Sequence, residues 1–180
     1  MAPPERDGDP EVLPVGDVEP FAVVEVQQAI ERTFDLTMTQ RQPLELPVAD
    51  AGGIREQYDV ESLLDEIDDV ATAGPTVAVT DADLLADGRE HILGVNRLPG
   101  STLVLSTNRL ETRDRQRFRE RLRKEALHLV ATMYLVDHCV GDPTDWSDCV
   151  HQYTPSVSEL DETSESFCPA CREALDEYLL

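Results

Sequence analysis

Apolar positions recur along the chain at two spacings, and the switches between them divide it into helices and strands. From Phe21 to Phe34, the residues Val23, Val24, Ile30 and Phe34 fall on one helical face. From Arg55 to Val70 a second amphipathic helix is built around Tyr58, Leu63, Leu64 and Ile67. Thr76 to Thr80, after Gly74-Pro75, is a short apolar β-branched run and predicts a buried strand. His91 to Val95 and Leu103 to Thr107 predict two further strands, joined through a loop with Pro99 and Gly100. Thr37 to Thr39 begins a short extended piece, and PLELPVADAG is a turn-rich connection. Glu111 to about Val136 predicts one long helix and Pro169 to Leu179 a last one, with a cysteine-bearing coil between them. Residues 1–19, rich in Pro, Gly and acid, read as a disordered lead-in whose one ordered feature is a strand beginning near Val12. Interleaved helices and strands without an internal repeat predict an α/β fold, as one domain over residues 20–180.

At 180 residues the chain is long enough for such a domain to bury a real core. Its formal charge is −22, and Lys124 is the sole lysine among fifteen basic residues. Acid excess with lysine depletion along the whole length reads as adaptation of a cytoplasmic protein to high salt, where hydrated carboxylates keep it soluble. A dedicated acidic docking face is the sharper alternative, and blocks of like charge are more often solvated surface. Arginines at every second position from Arg113 to Arg123 spread over several helical faces, so they predict a solvated helix paired with Glu111, Asp114 and Glu120. No nucleic-acid partner is expected, because the net charge opposes it and salt screens phosphate contacts. No membrane association is expected either, since no apolar stretch reaches the length of a span and the N-terminus lacks the order of a signal peptide. The expected location is the cytoplasm, where cysteines are more often metal ligands than disulfides.

Candidate chemistry is concentrated in the last third. All four cysteines, Cys139, Cys149, Cys168 and Cys171, lie there with the spacing C-x9-C-x18-C-x2-C. The Cys168-x-x-Cys171 knuckle presents two thiolates to one tetrahedral ion and the other two complete a structural zinc site. A redox role for that pair is the competing reading, disfavoured because no cysteine is left over. Such a closed site has no open position for catalysis. Just upstream, Lys124-Glu125-Ala126-Leu127-His128 differs by one residue from the His-Glu-x-x-His helix of zinc proteases. In that motif two histidines four apart bind one metal while the Glu polarises a bound water. Lys124 stands where the first histidine belongs, and an ammonium has no lone pair to offer at neutral pH.

Further matches extend this likeness over about Val18 to Tyr178. They include Val79-Thr80-Asp81-Ala82-Asp83-Leu84 with Gly88 and Gly94, then Leu105-Ser106-Thr107-Asn108-Arg109-Leu110. Ser158-Glu159-Leu160-Asp161, Phe167-Cys168-Pro169-Ala170-Cys171 and Leu175 follow in order. The chain resembles the archaemetzincins, a branch of the metzincin zinc metalloproteases. Their helix motif has the form HExxHxxGxxHC and is followed by a Cys-x-Met segment and a Cys-x-x-Cys pair. The resemblance implies a metzincin-like mixed, mostly parallel sheet, an active-site helix and a zinc-tethered C-terminal segment. It also implies that His91–Val95 is an antiparallel edge strand lining the cleft, and that Cys139, Cys149, Cys168 and Cys171 hold a structural zinc. Edge strands can bind peptides by strand addition, so a peptide or protein is the expected cleft partner.

The departures from the motif bear on activity. In-frame position eleven of the motif is Tyr134, and the His-Cys pair falls four residues later at His138-Cys139. An insertion of four residues displaces the chain exit by about 6 Å at the helical rise, which is expected to keep His138 from sharing a metal with His128. The Met of the Cys-x-Met segment is His151. Residual metal binding by His128 and His138, with His151, is the remaining route to a catalytic-site ion. Glu125 would be the general base only if the site is active, and otherwise a carboxylate paired with Lys124 or an arginine. One structural zinc and no catalytic zinc is therefore the expected cofactor content. Two readings result, a pseudo-protease that keeps fold and structural zinc, and an active zinc metallopeptidase with an unusual metal shell. The substitutions favour the first.

Overall fold

Three strands of the chain are buried on both faces, as expected of parallel strands covered by helices on either side. They are β1 (Glu11–Val15), β4 (Thr76–Thr80) and β8 (Thr102–Ser106). The computed structural model describes residues 8–46, 57–86, 89–98, 101–135, 137–139 and 149–179. In chain order its other elements begin with α1 (Pro20–Phe34), β2 (Thr39–Gln40), β3 (Gln57–Asp59) and α2 (Val60–Val70). The short strands β5 (Asp83–Ala86), β6 (Arg89–Ile92) and β7 (Gly94–Asn96) lie between β4 and β8. The helices α3 (Arg115–Tyr134), α4 (Val157–Glu162) and α5 (Pro169–Leu179) complete the chain.

The main sheet has the order β2-β1-β4-β8-β7. Four of its strands run parallel, and β7 pairs antiparallel with β8, joining Gly94 to Leu105 and Asn96 to Leu103. A smaller sheet of order β3-β5-β6 stands beside it. Strand alternation divides the core in two. Val12, Val77, Val79, Leu103 and Leu105 face α1 and α3, whereas Leu13, Val15, Ala78 and Val104 face Leu63, Leu64 and Ile67 of α2. This is the predicted mixed, mostly parallel α/β sheet.

Several boundaries differ from the sequence reading. The lead-in does not extend to residue 19, because β1 pairs along its whole length with β4 and its side chains are buried. The predicted strand near Val12 is thus central, and of the lead-in only residues 1–7 lie outside the described residues. The helix predicted over Arg55–Val70 starts at Val60, since Asp59 takes an extended conformation and its side chain caps Ser62 N, leaving Gln57–Asp59 to pair with β5. The strand predicted over His91–Val95 is broken at Leu93, with its first half in the small sheet and its second half at the edge of the main one. The long helix runs from Arg115, capped by Asp114, to Tyr134. The remainder of PLELPVADAG, Gly88, Pro99–Gly100, Val136 and residues 140–148 of the cysteine-bearing coil lie outside the described residues.

Motif residues in β5 and after β8 serve the fold. Arg109 donates two hydrogen bonds to Asp83, at 2.8 and 2.9 Å, and the Ser106 hydroxyl donates to Ala82 O at 2.5 Å. Four of the alternating arginines pair with acids outside α3, and the expected pairing with Glu111, Asp114 and Glu120 is not found among the described residues, where Asp114 caps the helix and Glu120 accepts from Gln116. Arg121 makes a bidentate pair with Asp161, and Arg123 reaches both Glu25 and Glu165. Arg115 stacks over Phe21 and pairs with Glu19.

One buried acid holds the entry to the sheet. Glu11 is almost wholly buried and accepts from Arg41 Nη1 at 2.7 Å, from Thr72 N and Oγ1 at 3.1 Å each, and from Thr76 Oγ1 at 3.0 Å. Burial alone raises its pKa, but the bonds from Arg41, Thr72 and Thr76 together outweigh burial and leave it below the ordinary carboxylate value. Glu11→Gln is expected to cost about 2 kcal/mol of unfolding free energy at neutral pH, since it replaces charge-assisted bonds with a misplaced donor. Because the folded pKa is depressed, that advantage is complete above the unfolded carboxylate value of about 4.3 and is lost as pH falls through the folded pKa. Denaturant melts at a series of pH values should show the gap between wild type and variant closing in acid; a gap constant down to pH ~2 would contradict this account.

Candidate functional site

A cleft of about 860 Å³ opens between the edge of the main sheet and α3. One wall is Ile92 to Asn96 with Leu98, another is Glu125, His128, Leu129 and Thr132, and the third is His138 with Tyr153 to Pro155. The strand predicted to line the cleft does so through its β7 half. Gly94 allows the close approach. A Cβ there would collide with the Leu129 side chain, would lie 2.8 Å from Val104 O and would come within 3.3 Å of Glu125 Oε1. Asn96 then ties strand to helix by donating to Leu129 O at 2.8 Å.

The spacing of Glu125 and His128 puts both on the cleft side of α3, one turn apart. Glu125 is buried, and desolvation pushes its pKa up to about 7. No ion pair involves it among the described residues, so the expected pairing with Lys124 or an arginine is not found. Lys124 instead turns its ammonium away from the cleft lining and donates to Leu160 O at 3.1 Å and Asp161 O at 3.0 Å in α4. It is 6% exposed. The lysine is therefore an internal tether to α4 and does not fill the place of a metal.

The four added residues do not keep His138 from His128, contrary to the helical count. After Tyr134 the chain leaves the helix through an extended Leu135, and His138 lies in the cleft lining. Its ring stacks on His128 with centroids 5.2 Å apart. His151 joins them, at 5.8 Å from His128 and 5.7 Å from His138. The added residues are absorbed because an extended residue advances the chain about 3.3 Å in a freely chosen direction, whereas a helical one is bound to a 1.5 Å rise. Burial lowers the pKa of His128 and His151 to about 4 each, with the neighbouring imidazoles adding to it, so both rings are neutral at pH 7. Tyr153, for which the sequence offered no motif, is 54% exposed and packs edge-on against His138 with centroids 5.3 Å apart.

Next to this cluster the four cysteines converge. Their sulfurs all lie within 4.8 Å of one another, and the Cys139 and Cys168 sulfurs are 3.7 Å apart. A tetrahedral zinc with bonds of about 2.3 Å sets sulfurs about 3.8 Å apart, so the donor set matches that ion. Backbone N–H groups of His151 and Cys168 point at Cys149 Sγ at 3.4 Å, and that of Cys171 at Cys168 Sγ at 3.5 Å. These donors lower the thiol pKa values; at Cys168 they prevail, whereas at Cys149 burial outweighs them and pushes the thiol up to about 11. The site joins the segment after α3 to the start of α5, as its spacing in the sequence implied.

An α/β sheet with an antiparallel edge strand, a helix carrying Glu-x-x-His across a cleft and a four-thiol centre behind it describe a metzincin-like protein. The model of peptidase family M54 matches residues 50–177, and the chain belongs to this family, the archaemetzincins, which are zinc metallopeptidases. The archaemetzincin of Natronomonas pharaonis is 30% identical over 92% of this chain and 98% of its own. That of Haloarcula marismortui is 29% identical over 90% and 96%. Among solved structures, archaemetzincin from Methanopyrus kandleri superimposes with a TM-score of 0.81 at 25% identity, covering 98% of both chains. The Archaeoglobus fulgidus archaemetzincin, complexed with malonate, gives 0.77 at 25% identity over 92% of this chain and 99% of its own.

Gly94→Ala is expected to destabilise the protein by about 1–3 kcal/mol, because Val104 O belongs to a sheet backbone that cannot yield cheaply. Calorimetry should show a melting midpoint several degrees lower, and an unchanged midpoint would mean that strand and helix are not held at this separation.

Proposed function

We propose that this chain is a peptide-binding archaemetzincin whose hydrolytic step is impaired and whose C-terminal segment is held by one structural zinc. The observation that carries the reading is the seat of Lys124, whose ammonium is bound to two carbonyls of α4. In the family's motif the general base follows one ligand and precedes another, so it is bracketed by the metal's anchors. Here Glu125 has a ligand-competent residue only on its C-terminal side, at His128. A catalytic zinc, when bound, supplies Lewis acidity and a water of lowered pKa. Glu125 keeps its place in the cleft and a pKa near neutrality, which suits a proton carrier, but it lacks the preceding ligand that would align it with such a water.

Binding does not depend on that alignment. The free edge of β7 borders the cleft along Gly94–Asn96, and an extended peptide can add to it by main-chain hydrogen bonds. The collected imidazoles favour a second reading, an active metallopeptidase with a rearranged metal shell. The two separate in one assay, peptide hydrolysis in high-salt buffer with and without a chelator. Wild type is expected to show no chelator-sensitive turnover, and such turnover would reject the first reading. Because His138 already lies beside His128, no deletion is needed to rebuild the family pattern. The double variant Lys124→His/His151→Met is expected to gain chelator-sensitive hydrolysis on the order of 10²-fold over background, the scale of a correctly positioned general base.

Structural zinc binding is folding free energy, so removal of one thiolate should be felt far from the ligand itself. Cys168→Ser is expected to lose one zinc per chain by metal analysis and to lower the melting midpoint. Retention of both metal and midpoint would show that the four cysteines are not a metal centre.

A further inference from the structure

We propose that His128, His138 and His151 form a three-imidazole site for a divalent transition metal, in which His151, from the segment after Cys149, supplies the ligand that Lys124 no longer can. The first support is the triangle of rings, with sides of 5.2, 5.7 and 5.8 Å between centroids. A tetrahedral ion bound at about 2.0–2.1 Å by three imidazole nitrogens sets the ring centres about 5 Å apart. The observed triangle is a few tenths of an ångström wider. The rings now lie partly face to face, and their nitrogens are more spread than the four sulfurs, so loading the ion requires the rings to turn edge-inward.

The second support is an orphaned atom. His151 is 0% exposed, and its Nε2 has no hydrogen-bond partner among the described residues. A buried nitrogen without a partner is costly unless something of the right chemistry meets it. Tautomer logic gives the same direction for His128. Its Nδ1 lies 3.2 Å from Val150 O, and a carbonyl can only accept, so Nδ1 carries the proton and Nε2 keeps its lone pair. In His151 the Nδ1 faces Cys171 Sγ at 3.9 Å. Nε2 is thus the nitrogen of that ring left without a partner. The cysteine cluster thus touches the histidine site through Cys171, on the side where carboxylates and carbonyls orient metal-bound histidines elsewhere.

All three imidazoles follow Glu125 in the chain, so an ion held by them is not bracketed around the general base. Metal binding here and impaired turnover are consequently compatible, and they are measured by different readouts.

The test is titration of the metal-free, reduced, full-length chain with Co²⁺ in high-salt buffer. The thiolate centre reports through sulfur-to-cobalt charge transfer in the near ultraviolet, and an imidazole site through visible ligand-field bands without added charge transfer. Wild type is expected to take up two equivalents. His151→Met and His138→Ala are each expected to take up one, with the charge-transfer band intact. His138→Ala alters a half-buried residue beyond the end of α3, so it decides the matter if His151→Met disturbs the fold. A single equivalent in wild type overturns the proposal, as does a second equivalent that survives in a folded His138→Ala chain. Loss of peptide hydrolysis or its presence bears only on the function proposed above.

Discussion

The position of α3 against the sheet is the constraint on which the cleft depends. Leu122, Ala126, Leu129 and Val130 bury one side of the helix in the core shared with β8 and α1. A missing side chain at Gly94 lets the sheet edge come close enough for Asn96 to reach Leu129 O. On its outer side the helix is fastened by guanidinium groups, with Arg121 forked onto Asp161 and Arg123 shared between Glu25 and Glu165. Bidentate pairs of this kind fix orientation as well as distance. With the helix so held, the residues one turn apart at 125 and 128 face the cleft, and the long Lys124 side chain reaches back to α4.

Much of this was legible from pattern, and the failures have physical causes. Buried strands such as Thr76–Thr80 and amphipathic helices such as α1 stand out because their periods persist for several residues. The short strands β3, β5 and β6 carry only three or four residues each, too few to establish a period, and two of them pair only with each other or with β3. Gln57–Asp59 reads as helix because Tyr58 fits the helical stripe, whereas the Asp59 cap settles the boundary in space. The four cysteines are readable because a Cys-x-x-Cys knuckle with a second pair and no cysteine left over fits one tetrahedral ion. Their convergence within one sphere is what the spacing implied.

The histidines were harder. Counting residues from His128 to His138 treats the intervening chain as helix, and that assumption placed the third imidazole out of reach. Helix termination at Tyr134 removes the assumption, and no residue between the two advertises it, since neither glycine nor proline is present there. His151 was visible in the sequence as the loss of a methionine. Its burial beside two other rings depends on the thiols of its own segment being gathered against α5, a relation between distant positions that no local window contains.

The tether formed by Lys124 has a consequence for the chemistry of the surface. As the chain's sole lysine it is enclosed, with its ammonium committed to backbone carbonyls. Every other basic side chain apart from the histidines is a guanidinium, which stays charged and is a poor nucleophile at physiological pH. The folded protein therefore presents no lysine amine to acylating reagents, aldehydes or enzymes that attach acetyl groups or ubiquitin to lysine. Labelling that does reach Lys124 would report the opening of α3 from α4, which makes this one residue a built-in probe of the helix on which the cleft is assembled.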